Sequence, residues 1–146
     1  MTLKTYVPEG ETPQACQIGA SLEVLANTIS ARRSAGEESY TYRLLTGDID
    51  MVLKKLMEEA GEVALAAKDV NVQVVGACDS SAYDAAIDHL RYEAGDVVYH
   101  LLVVLERFGI SIDEFAAEMN SRMRDDEISL HEGMVRLQPQ HVNRGK

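Results

Sequence analysis

The string VVYHLLVV at positions 97–104 is apolar almost all the way round a helix. A helix of that kind has to be largely buried. Yet Glu93, Asp96 and His100 fall on one side of it, at i, i+3 and i+7. Carboxylates on a buried helix are costly unless they are paired or bind a metal. Whatever packs against this helix must answer its charges.

A second acidic helix is available. KKLMEEAGEVALAAKD, at 54–69, places Lys55, Glu58, Glu59 and Glu62 on one arc of about 100°. Val52, Leu56, Ala60, Val63 and Ala67 occupy the neighbouring arc, so the acids border the expected packing face rather than oppose it. Glu59-x-x-Glu62 and Glu93-x-x-Asp96, set facing each other, would form a cage of oxygen ligands. All-carboxylate ligation suits a hard cation, with Mg²⁺ the natural occupant beside phosphate oxygens and Mn²⁺ an alternative. Di-iron bundles use Glu-x-x-His on two helices, and here the i+3 partners are Glu62 and Asp96, which disfavours a redox site. A single E-x-x-E is most often a solvated helix face; two copies beside apolar stripes point to a site. Lys54 and Lys55 also serve as i,i+4 partners of Glu58 and Glu59, at about 0.3–0.5 kcal/mol each. A histidine such as His100 on an apolar helix is more often a hydrogen-bonded core residue than a ligand. Met51, Met57 and Met119 read as packing residues, and the spacing gives His89 no role.

The acids sit within an all-α plan of about four helices. Residues 1–18 read as an irregular arm, broken by Pro8, Gly10 and Pro13. A helix follows Ser21, with Leu22, Leu25, Ala26 and Ile29 at helical spacing, and runs to about Arg33. SAGEESYTYRLLTG reads as a connection, and Asp48 or Asp50 caps a second helix reaching about Asp69. Val70, Val72 and Val74 alternate in VNVQVVGACDS, which reads as a loop. Ser81 with Asp84 opens a third helix that runs to Phe108, closed by Gly109. Ser111 with Glu114 opens a fourth, to about Arg124, and a polar tail covers 126–146. The domain proper is thus expected at 19–125. A chain of this plan is expected to hide part of its apolar third helix against a partner chain.

Composition narrows the function. The 146 residues suggest one domain, and 46% apolar content excludes wholesale disorder. A net charge of −10 without a Lys/Arg stripe argues against nucleic-acid binding, and an acidic protein that handles a polyphosphate needs bridging cations. No apolar run is long enough to span a membrane, and the first residues carry no targeting pattern, so a cytoplasmic location is expected. Cys16 and Cys78, without CxxC spacing, read as reduced thiols.

EESYTYRLLTGDIDMVLKKLMEEAGEVALAAKD and LRYEAGDVVYHLLVVLERFGISIDEF together resemble the phosphoribosyl-ATP pyrophosphohydrolases, which act at the second step of histidine biosynthesis. Those enzymes belong to the all-α, MazG-like nucleotide pyrophosphohydrolases, marked by E-x-x-E followed by E-x-x-D. The resemblance covers about residues 20–124 and implies a helical bundle completed by homodimerisation. It implies Mg²⁺-dependent hydrolysis of phosphoribosyl-ATP to phosphoribosyl-AMP and pyrophosphate. Carried over by match, Glu59, Glu62, Glu93 and Asp96 would hold metal, and Glu58 or Glu59 would orient or deprotonate the attacking water. Arg43, Lys55 and Lys68 would contact phosphate, and His100 would support the site or touch substrate. The chain departs from the family at Met57, where a glycine is usual, and at Gly61 and Gly95, which would allow close helix approach. The segment between Glu62 and Glu93 is also longer than the family's. Two other readings share parts of this pattern: a MazG-like enzyme for ordinary nucleoside triphosphates, and a non-catalytic helical dimerisation module.

Overall fold

Three side-chain caps set where helices begin. Ser39 Oγ accepts from the Tyr42 amide, Asp48 from Asp50, and Ser111 from Glu114. The computed structural model describes residues 18–76 and 80–122. Within them lie α1 (Ile18–Ala31), a 3-10 turn (Arg32–Ser34), α2 (Tyr40–Thr46), α3 (Ile49–Val75), α4 (Ser80–Arg107) and α5 (Ile112–Asn120). The all-α expectation holds. The expected arm before Ile18 and the tail after Arg122 lie outside the described residues.

α3 and α4 form an antiparallel hairpin about 40 Å long, from 27 and 28 residues. α1, α2 and α5 gather at one end of it. There Ile29, Leu44, Leu45, Val52, Leu102 and Val103 make the buried cluster, with Leu22, Leu25, Ile49, Tyr99 and Ile112 packed against it. The end of α4 is fixed in detail. Gly109 adopts φ 70°, the Ile110 amide bonds to Leu105 O at 2.9 Å, and the Gly109 amide bonds to Glu106 O at 3.1 Å, which is a Schellman closure. Arg107 then reaches Leu44 O at 2.8 Å and Gly47 O at 2.6 Å, a cation on the carbonyl end of α2. Arg33 Nε meets Glu106 Oε1 at 2.7 Å and ties the 3-10 turn to the same corner.

The structure departs from the sequence expectations at definite places. A fifth helix, α2, stands inside the stretch read as a connection. Its seven residues are too few for a periodic signal, and Ser39 capping and the burial of Leu44 and Leu45 hold it. α3 continues to Val75, past the expected end near Asp69, because Val70 and Gln73 keep helical spacing on the half-buried side. α1 ends at Ala31, and α5 at Asn120 rather than near Arg124. On α3 the buried positions are Val52, Glu59 and Ala66, while Ala60 and Ala67 are exposed. Glu59 therefore lies on the packing face itself, while Glu62 is half-buried and Glu58 exposed. Gly61 and Gly95 are exposed, and a Cβ on either would meet no atom within 4 Å, so neither marks a close helix crossing among the described residues. Of the apolar run on α4, His100, Leu102 and Val103 are buried and the rest half-buried, whereas α3 exposes Leu53, Met57, Leu65, Val72, Val74 and Val75.

Leu44, 1% exposed at the meeting of α2 with the hairpin, tests this core. Leu44→Ala is expected to cost about 2–5 kcal/mol in urea unfolding.

Candidate active site

Heptad-like spacing on α3 carries Glu59 into the interface with α4, one turn after Lys55 and two after Val52. Glu93 and Asp96 face it from α4. One oxygen of each of Glu59, Glu93 and Asp96 lies within 4.8 Å of the others, with Glu59 and Glu93 buried. Like charges at that spacing repel strongly in a poorly solvated interface.

Lys55 offsets part of this. Its Nζ sits 2.9 Å from Glu59 Oε1 and 3.2 Å from Glu58 Oε1. Hydrogen bonds to Glu59 and then Glu58 raise the lysine's pKa and hold the ammonium charged. The same Lys55 bond is the main reason Glu59 titrates below the ordinary carboxylate range. Glu62 moves the other way. The hydrogen bond it shares with Glu59, then partial burial, then the charge of Glu93 push its pKa up.

His100 is buried beside the acids, with Nδ1 3.9 Å from Glu59 Oε1. Nδ1 is 2.9 Å from the carbonyl of Asp96, and Nε2 is 3.2 Å from the Tyr40 hydroxyl. The carbonyl can only accept, so Nδ1 carries the proton; a neutral ring then accepts from Tyr40 through Nε2. Burial is the main cause of a raised Tyr40 pKa, which keeps that hydroxyl a donor. One residue along on each helix, the Thr41 and Tyr99 hydroxyls meet at 2.7 Å. The SYT and YH segments, far apart in sequence, thus form one side-chain contact beside the acids.

The other candidate residues are placed as follows. Glu58 is exposed and bound to Lys55 at the edge of the cluster. Arg43 is exposed; its Nη1 donates to the carbonyls of Glu37 and Glu38, and its guanidinium lies 5.9 Å from the Tyr40 ring centre. Lys68 is exposed and, nine residues beyond Glu59, falls on the opposite side of α3. Neither is brought among the acids. Sequence reasoning missed Tyr40, Thr41 and Tyr99 as a unit, although all three lie in the motifs. It also missed His89, whose Nε2 is 2.9 Å from Glu93 Oε1. The i,i+4 spacing of that pair was the available signal.

The donor set decides whether a metal fits. It is all oxygen, comes from two facing helices, and includes two buried carboxylates with a single lysine among them. That composition matches a hard divalent cation and not a soft one.

The phosphoribosyl-ATP pyrophosphohydrolase family profile matches residues 22–123. The chain is 36% identical to the phosphoribosyl-ATP pyrophosphatase of Dechloromonas aromatica over 69% of its own length and 81% of that protein's. It is 36% identical to that of Pyrobaculum islandicum over 75% of this chain and 99% of the relative. It is also 34% identical to the histidine biosynthesis bifunctional protein HisIE of Thermus thermophilus, over 80% of this chain and 46% of that one. No solved structure matches the chain significantly.

The raised pKa of Glu62 makes a directional prediction. Its folded pKa exceeds the ordinary 4.5, so its ionised form weighs against the native state at neutral pH and not below that value. Glu62→Gln is expected to raise the metal-free melting temperature at pH 7. The gain should vanish as pH falls below 4.5 in parallel thermal melts.

Proposed function

The chain belongs to the phosphoribosyl-ATP pyrophosphohydrolase family, and on that premise we propose that it hydrolyses the α–β phosphate bond of phosphoribosyl-ATP, with Mg²⁺, to phosphoribosyl-AMP and pyrophosphate. The observation that carries this reading is the convergence of Glu59, Glu93 and Asp96 within 4.8 Å inside the α3–α4 interface. A cluster of like charges in a helix pairing makes sense when a cation completes it.

In this reading Glu59, Glu93 and Asp96 hold the metal, with Glu62 joining from the more open side. A Mg²⁺ held there would supply positive charge for the triphosphate oxygens and for the leaving pyrophosphate. Lys55, one-third exposed and held charged by its two glutamates, presents its remaining N–H to a phosphate oxygen. Exposure divides the work of the adjacent glutamates. Glu59 is buried with the cluster, while Glu58 reaches solvent and takes the water-orienting role. Both nitrogens of His100 are engaged, which makes it the post that fixes α2 beside the acids. Arg43 and Lys68 would meet phosphate only if substrate or a second chain extended the site towards them.

The same reading includes a homodimer and a place among the cytoplasmic steps of histidine biosynthesis. No helix of the described residues is long and apolar enough to cross a membrane. The outer face of α3 supports a partner chain. Leu53 and Met57 line an open groove with Asp50, Lys54 and Glu58, and Met57 is 77% exposed. An apolar stripe of this kind is the usual mark of an interface.

Purified protein given phosphoribosyl-ATP and Mg²⁺ should release pyrophosphate, much faster than from ordinary nucleoside triphosphates; equal turnover of the latter would assign the alternative substrate class. Glu93→Gln should lower kcat/KM by about 100-fold or more at fixed Mg²⁺. In sedimentation, the wild-type chain should run as a dimer and Met57→Glu as a smaller species. A wild-type monomer would remove the dimer from the proposal.

A further inference from the structure

His89 stands on α4 one turn before Glu93, and its side chain is 55% exposed. It nevertheless points inward, with Nε2 2.9 Å from the Oε1 of a glutamate whose side chain is 9% exposed. Ordinary i,i+4 pairs join two solvated groups; this one joins an exposed donor to a buried acceptor. Among the described residues, no other basic side chain is paired with the Glu93 carboxylate. Lys55 serves Glu59 and Glu58, and His100 is occupied by Asp96 O and the Tyr40 hydroxyl.

A carboxylate without a fixed donor can rotate among several orientations, and ligating carboxylates are as a rule oriented by a hydrogen bond from outside the cluster. The imidazole can supply that bond whether neutral, as the Nε2–H tautomer, or charged. It engages Oε1, and a carboxylate has a second oxygen with which to bind a cation. We propose that His89 is a positioning residue for the divalent cation: its Nε2–H fixes the Glu93 carboxylate in the orientation that faces Glu59 and Asp96. The inference rests on the metal-binding reading of the three acids. The motifs that carry the family resemblance resume at Leu90, one residue beyond His89.

The test measures Mn²⁺ and Mg²⁺ binding to the full chain by calorimetry, without substrate, alongside metal-free melting curves. His89→Ala is expected to weaken binding by about 10–100-fold and to leave the metal-free melting temperature nearly unchanged, since the side chain is half-exposed. His89→Gln, whose amide can donate to the same oxygen, is expected to restore most of the affinity. Wild-type affinity in His89→Ala, with binding lost in Glu93→Gln, would overturn the role of His89 and leave the metal site standing. Unchanged affinity in both variants would overturn the metal reading itself. Equal loss in His89→Ala and His89→Gln would make the imidazole a direct ligand instead. A lowered metal-free melting temperature at unchanged affinity would reduce it to a structural contact.

Discussion

Carboxylates from α3 and α4 converge within 4.8 Å inside a helix pairing, and the neighbouring groups act to offset their repulsion. Lys55 pairs with Glu59, and His89 Nε2 lies 2.9 Å from Glu93 Oε1. Asp96 has no cationic partner among the described residues. The pairing survives this charge because the other end of the hairpin is closed by apolar contacts. Ile29, Leu44, Leu45, Val52, Leu102 and Val103 supply the favourable burial that the acids withhold. Stability and chemistry are thus carried by different stretches of the same two helices.

α2 joins these stretches. Leu44 and Leu45 lie in the core, while Tyr40 and Thr41, one turn earlier, bond to His100 and Tyr99 beside the acids. The short helix transmits the rigidity of the core to the rim of the site. Arg107 holds its far end through Leu44 O and Gly47 O, so both termini of α2 are fixed by α4.

Much of this was legible in the residues, for physical reasons. Long amphipathic periods identified α1, α3 and α4, and the Ser111 cap and Gly109 closure marked ends whose geometry is local. The Glu59 and Glu93/Asp96 convergence followed from helical spacing and the cost of burying charge. α2 was not legible, because seven residues give no period and its stability comes from contacts with α4. The last turns of α3 were misread because valines favour strands in isolation. Helical spacing also could not tell a packing face from its border on α3: Glu59 lies fully inside, while Ala60 and Ala67 face out. Pairings such as Tyr40 with His100 depend on which elements meet, and one chain's sequence does not state that.

The hairpin runs well beyond the acids, to Val75 and back from Ser80, and the buried cluster contains no residue from that part. Amide exchange in such a molecule should be graded along its length. Backbone hydrogen bonds around Leu102 and Val103 would open only with global unfolding, while those near Val72 and Val75 would open through cheaper, local excursions. Glu59 and Asp96 lie where the two regimes meet. Fraying that starts at the far tip would reach the acids before it reached the core, so occupancy of the acid cluster and protection of the hairpin's outer half would rise together.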